Sequence, residues 1–270
     1  MKKKFVLWAM AIALFFCAAF ALPLHAADRN STLSGEKVYA VSDLINIDRA
    51  TQTNDSSVKQ ETNIKDGLKH NSLKQVLAGI VNLQEGRIGE IIGKFSDAGS
   101  KWVWIVQEGV LSESINASTT MTTEGVLTIL DYNKLKNATQ LSVARTIIHE
   151  LVHAFLTLYF HYDQLNASQD FPLTVLEWRA AENPNYNDIQ HAQMEVSFLD
   201  DIAQALKVYG SNIGLSIDDS IYADMAWGGL DFQNNSSLSE VDKERIQNRL
   251  KVEQLNMVFL NIMPIGLKMG

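Results

Sequence analysis

The chain is almost without cysteine: Cys17 is the only one in 270 residues. It stands in the apolar N-terminal stretch, so the rest of the chain can form no internal disulfide and must be held by core packing or by a metal. Positive charge is also in deficit, with 23 Lys plus Arg against 31 Asp plus Glu and a formal net charge of -8. Without Lys2, Lys3 and Lys4 the balance falls to 20 against 31, or -11. No run gathers the remaining cations, which argues against nucleic acid or an anionic membrane surface as a partner. Net charge alone points instead toward cationic peptides as ligands. Internal repeats, heptads and low-complexity tracts are missing too. Apolar residues make up 46% and charged residues 20%, the balance of a chain able to bury a full core, so disorder is excluded as its general state.

The N-terminus reads as an export signal. Lys2 to Lys4 precede the apolar stretch Phe5 to Ala21, then come Pro23 and the small-residue segment His25-Ala26-Ala27, where a peptidase would cut after Ala26. The competing reading is an uncleaved anchor over Phe5 to Leu24, which would make the membrane a partner. Lipidation at Cys17 is disfavoured by Phe15 and Phe16 just before it. Export without cysteine fits a bacterial periplasmic or secreted protein. The expected organisation is a signal peptide over 1–26, a polar leader or linker over 27–71, and one domain over 72–270.

Within that domain, Ser72 is a plausible cap for a glycine-weakened helix, or two, carrying Leu73, Val76, Leu77, Ile80, Ile88, Ile91, Ile92 and Phe95. Strands are expected at Lys101 to Val106 and Gly125 to Asp131. Asn137 or Thr139 then caps a run from Leu141 to Phe160 that is apolar almost all round, the pattern of a buried helix. Leu173 to Ala181 forms a short helix. From Asn187 or Asp188 another begins, with Ala192, Val196, Leu199, Ala203 and Leu206 as its core stripe and Gly210 at its end. A last amphipathic helix runs from about Leu238 to Val258.

Inside the buried helix stands His149-Glu150-Leu151-Val152-His153, an H-E-x-x-H pattern. Residues four apart share a helix face, so the two imidazoles can grip one ion while Glu150 is offset toward its open side. A zinc ion with three protein ligands keeps a place for water, lowers that water's pKa to around 7, and leaves a neighbouring carboxylate to take its proton.

The stretch Ile147 to Leu156 resembles the active-site helix of the zincin metallopeptidases. The resemblance implies an α+β, zincin-like fold: a small mixed sheet whose edge strand packs on the active-site helix, followed by a helix bearing a ligand. Val126 to Asp131 is similar in place to the zincin edge strand that pairs with extended substrate. The metzincin pattern for the third ligand is not met, because its histidine slot holds Tyr159 and its glycine slot Leu156. His161 would sit about 12 Å along the helix from His153, too far to share an ion.

His191 and Glu195, one turn apart, remain as possible ligands. Asp188 to Met194 resembles the later-helix histidine of the SprT-like zincins, which share the wording Ile-Ile-His-Glu-Leu-Val-His-Ala, and this implies His191, with Glu195 or Asp188 orienting an imidazole. That resemblance spans about residues 125 to 195 and lacks the zinc-ribbon cysteines and basic tail of the family, so DNA-linked proteolysis is not carried over. Tyr222 to Leu230 is conspicuous for Trp227-Gly228-Gly229, which suggests close backbone approach, and Tyr222 is a possible oxyanion donor.

The expectation is a zinc peptidase with Glu150 as general base and His149, His153 and His191 as ligands, acting on a peptide or protein. The alternative is an exported zinc-binding protein that is catalytically silent.

Overall fold

The computed structural model describes residues 62–97, 99–180 and 186–269. The export signal, its cleavage after Ala26, the anchor reading and the leader over 27–61 lie outside the described residues. Four strands form one mixed sheet in the order β1-β2-β4-β3: β1 (Ile64–Gly67), β2 (Trp104–Glu108), β3 (Ala117–Thr122) and β4 (Gly125–Leu130). β1 pairs parallel with β2, β2 parallel with β4, and β3 antiparallel with β4. With its helices the sheet makes an α+β fold.

The strand expected at the sheet edge is β4, and it lies inside. It is bonded to β2 on one side and β3 on the other, and Val126, Thr128 and Leu130 are fully buried rather than lining a cleft. The edge belongs to β3, whose sequence Ala-Ser-Thr-Thr-Met-Thr carries no apolar alternation because it is half-buried along most of its length. β1 falls within the segment read as a leader, so the sheet begins at Ile64, before Ser72.

The glycine-weakened stretch forms two helices, α1 (Asn71–Val81) and α2 (Gly86–Ser96). Ser72 does not cap α1 but is buried within it, and His70 holds the cap position. A short α3 (Tyr132–Leu135) leads into α4 (Gln140–Tyr162), 23 residues long. Every residue of α4 from Leu141 to Phe160 except Thr157 is buried, as all-round apolarity requires. α4 has the length and hydropathy to cross a membrane, yet it is packed inside the protein.

α4 starts where Thr139 caps it, its Oγ1 accepting from the Ser142 amide. The same hydroxyl donates to Glu253 Oε2 at 2.8 Å, and Glu253, 0% exposed, also accepts from the amides of Ile265 and Gly266 and from Arg249. One buried carboxylate thus joins the N-terminus of α4 to α10 (Glu240–Leu255) and to the C-terminal segment. α10 is not the amphipathic helix expected: it buries only Ile246, Val252 and Glu253.

Beyond α4 come α5 (Gln164–Asp170), α6 (Pro172–Ala180), α7 (Tyr186–Ser197), α8 (Leu199–Asn212) and α9 (Asp219–Ala226). The single helix expected after Asn187 is broken at Phe198, and the first half of its stripe is displaced: Ala192 and Val196 face solvent while Gln190, Met194 and Phe198 face inward, whereas Leu206 is buried as expected and Leu199 and Ala203 pack partly buried against the core. Arg87 fixes the break, its guanidinium lying 4.0 Å from the Phe198 ring centroid and donating to the Ser197 carbonyl. Gly210 does not end α8. It lies within the helix, where a Cβ would meet the Tyr222 hydroxyl at 2.4 Å.

Candidate metal centre

α4 places His149 and His153 one turn apart on a single face, and α7 brings His191 against them. The three Nε2 atoms form a near-equilateral triangle: 3.1 Å between His149 and His153, 3.0 Å between His153 and His191, and 3.2 Å between His149 and His191. The centre of such a triangle is about 1.8 Å from each corner, just inside the ~2.0–2.1 Å of a zinc–imidazole bond. Among the described residues these three histidines are the group that could hold a metal ion.

The protonation of the three rings is compatible with a cation between them. His153 Nδ1 lies 2.6 Å from Gln190 Oε1, and Gln190 Nε2 donates to Thr157 Oγ1, which orients the amide so that its oxygen takes the Nδ1 proton. His153 Nε2 therefore presents a lone pair to the other two rings. The Nδ1 of His149 is buried and unpartnered. Burial first, then mutual repulsion, holds His149 well below the usual imidazole value, and burial takes His153 down to about 3. His191, half-buried on α7, is lowered too, chiefly by burial. Three neutral imidazoles at neutral pH are the form a metal requires.

Glu150 is buried beside the triad, and burial raises its carboxyl to about 7. A hydrogen bond from Thr119 Oγ1 to its Oε2, at 2.6 Å, opposes that rise, as does the charge of Arg145. Behind Thr119 lie Thr128 Oγ1 at 2.7 Å and the Trp104 indole N–H, which donates to Thr128 at 2.8 Å. Indole N–H only donates and each hydroxyl has one proton, so with Thr119 donating to Glu150 the chain runs from Trp104 through Thr128 and Thr119 to the carboxylate.

The three histidines, Glu150 and Thr119 line one cavity of about 490 Å³, bordered by the β3 edge, α4, α7, the Gly228–Gly229 turn and α10. The close backbone approach expected of Trp227-Gly228-Gly229 is found here. Gly229 has φ +92°, and a Cβ on it would stand 2.8 Å from His149 Cε1, so only glycine lets the turn close over that ring. Tyr222 does not reach the site: it is buried between α8 and α9 and does not line the cavity. Glu195 accepts a hydrogen bond from Asn235 and is outside the cluster, and His161 is exposed on the last turn of α4.

Three contributors escape a reading of the sequence. Gln190 lay off the stripe read through Ala192 and Val196, and Thr119 lay in a strand without apolar alternation. Arg145, one turn before His149, carried a usable signal: a charge inside an all-round apolar helix. No protein-family model, no curated protein and no solved structure matches this chain.

Proposed function

We propose that the chain is a zinc-dependent peptidase of zincin-like build, exported to the periplasm or beyond, that hydrolyses peptide bonds with Glu150 as general base. The reading rests on one observation: three imidazole nitrogens converge within 3.2 Å of one another beside a buried carboxyl, in an open cavity. His149, His153 and His191 would hold the ion. Zinc bound there supplies a Lewis acid and an acidified water. Glu150 takes the proton of the attacking water and returns it to the leaving amine; Oε1 is the free oxygen, since Oε2 is held by Thr119. Gln190 keeps His153 in the ligating tautomer. The β3 edge borders the cavity and is the place for an extended peptide to add as a strand. Glu195, tied to Asn235, leaves a coordination position open, which favours catalysis over a silent zinc-binding protein. The resemblance of Asp188 to Met194 to the later-helix histidine of the SprT-like zincins, which share the wording Ile-Ile-His-Glu-Leu-Val-His-Ala, agrees with this choice of ligands.

The test is zinc content and hydrolysis of a denatured protein by the wild type, His191→Ala, Glu195→Ala and Glu150→Gln. One zinc per chain is expected in the wild type and Glu195→Ala, and none in His191→Ala. Glu150→Gln should keep zinc while losing about 10²- to 10⁴-fold in rate. Zinc retained by His191→Ala, or full activity in Glu150→Gln, rejects the assignment.

A further inference from the structure

Arg145 is the one charged side chain of the buried helix that the reaction above does not use. It is 8% exposed, it lines the cavity, and it makes no hydrogen bond or ion pair with any described residue. Its Nε is buried without a partner. An arginine does not shed its proton to escape burial; the nearby Glu150 offsets part of its charge but makes no hydrogen bond with it, so the guanidinium's donors are left for a further anion. The fork of donors suits a carboxylate, which it can bind in bidentate fashion.

The surroundings agree. Of the charged residues lining the cavity, two are cationic, Arg145 and Lys251, and one is anionic, Glu150. Lys251 is at the rim, exposed, with its ammonium 3.7 Å from the Phe259 ring centroid, so the desolvated charge is Arg145. Position is set by the glycine turn: a Cβ on Gly228 would meet the Arg145 guanidinium at 2.6 Å, and one on Gly229 the His149 ring. Two successive residues of one turn thus pack on the guanidinium and on the imidazole, side by side in the same cavity. Arg145 and His149 stand one turn apart on the same face of α4, and the charge of Arg145 acts on both His149 and Glu150. It is therefore within reach of a substrate group that lies in the cavity beside the triad.

We propose that Arg145 is the binding residue for a substrate carboxylate and that the site selects anionic peptides, although the chain as a whole is acidic. The carboxylate is that of a Glu or Asp side chain or of the peptide's own C-terminus, next to the bond to be cut. The proposal takes the cavity to be the peptide site described above, but carboxylate binding does not depend on hydrolysis.

Two measurements separate them. Calorimetric titration of zinc-loaded and metal-free protein uses three blocked short peptides: one with Glu and a C-terminal amide, its Gln counterpart, and the Gln peptide with a free C-terminal carboxylate. One of the two carboxylate peptides should bind at least about 10-fold more tightly than the neutral one, which names the source, and Arg145→Gln should abolish the difference. Kinetics of hydrolysis of the same peptides should show the loss in Arg145→Gln as a raised KM for the carboxylate peptide alone. Carboxylate preference without hydrolysis upholds this proposal and rejects the peptidase reading. Equal binding of all three peptides by the wild type overturns it, whatever the variant does. A kcat lost equally on neutral and anionic peptides overturns it as well, and assigns Arg145 to the reacting oxygen.

Discussion

The two helices that supply the imidazoles are held in place by different means. α4 is immersed: its site-bearing turns are buried on every side, and its start is tied to Glu253. α7 lies at the surface, with Asn187, Asp188, Ala192 and Val196 exposed and inward contact through Gln190, Met194 and the Phe198 break. His149 and His153 are accordingly fixed by burial, whereas His191 is fixed by a few specific contacts. The two-ligand half of the site is therefore part of the core, and the third ligand is a surface element docked on it. Damage to the anchor of α4 should cost the fold; damage to that of α7 should cost the metal.

The largest effect is expected at Glu253. Its removal strands the Thr139 hydroxyl, the amides of Ile265 and Gly266, and Arg249, all at a 0% exposed position. Glu253→Ala should lower stability by about 3–5 kcal/mol, read as a shift of the urea midpoint in metal-free protein. A loss under about 1 kcal/mol would mean that α4 needs no such anchor.

A smaller and more selective effect is expected at Gln190, which belongs to α7 but grips α4 through His153 and Thr157. In Gln190→Leu the Nδ1 proton of His153 is left without an acceptor and the ring is free to take the wrong tautomer. Zinc affinity, measured by chelator competition, should fall about 10- to 100-fold. The far-ultraviolet dichroism should stay that of the wild type. Unchanged affinity would place the control of His153 in burial alone and erase the distinction between the two helices.

The same contrast explains what the sequence discloses. His149, Glu150 and His153 are contiguous on one helix, and four-residue spacing is a local property that survives any tertiary arrangement. His191 could not be separated from Glu195 by spacing, and only resemblance favoured it. The stripe through Ala192 and Val196 failed for a physical reason: it assumed a continuous helix, while Phe198 interrupts it and the residue buried one turn before Met194 is the polar Gln190. Likewise β3 was missed because its threonines serve a hydrogen-bond chain instead of a core, and β4 was placed at the edge because its outer neighbour was invisible. Polar residues with partners far along the chain leave no period to read.

That chain of hydroxyls offers the finest test, because it reaches from the sheet to the carboxyl on α4 without touching either imidazole. Thr119 holds Glu150 Oε2 at 2.6 Å and pulls its carboxyl down against the burial that raises it to about 7. Valine has nearly the shape of threonine but no proton to give. In Thr119→Val the lowering contribution is lost, so the Glu150 carboxyl rises and stays protonated to higher pH. A general base acts only when ionised, so the acidic limb of kcat/KM should move to higher pH than in the wild type, by about one unit for a hydrogen bond to a charged group worth about 1.5 kcal/mol. Zinc content and the rate on the high-pH plateau should change little. If the limb stays where it is, Thr119 contributes packing only; if it moves downward, Glu150 is not the group that titrates in the rate profile.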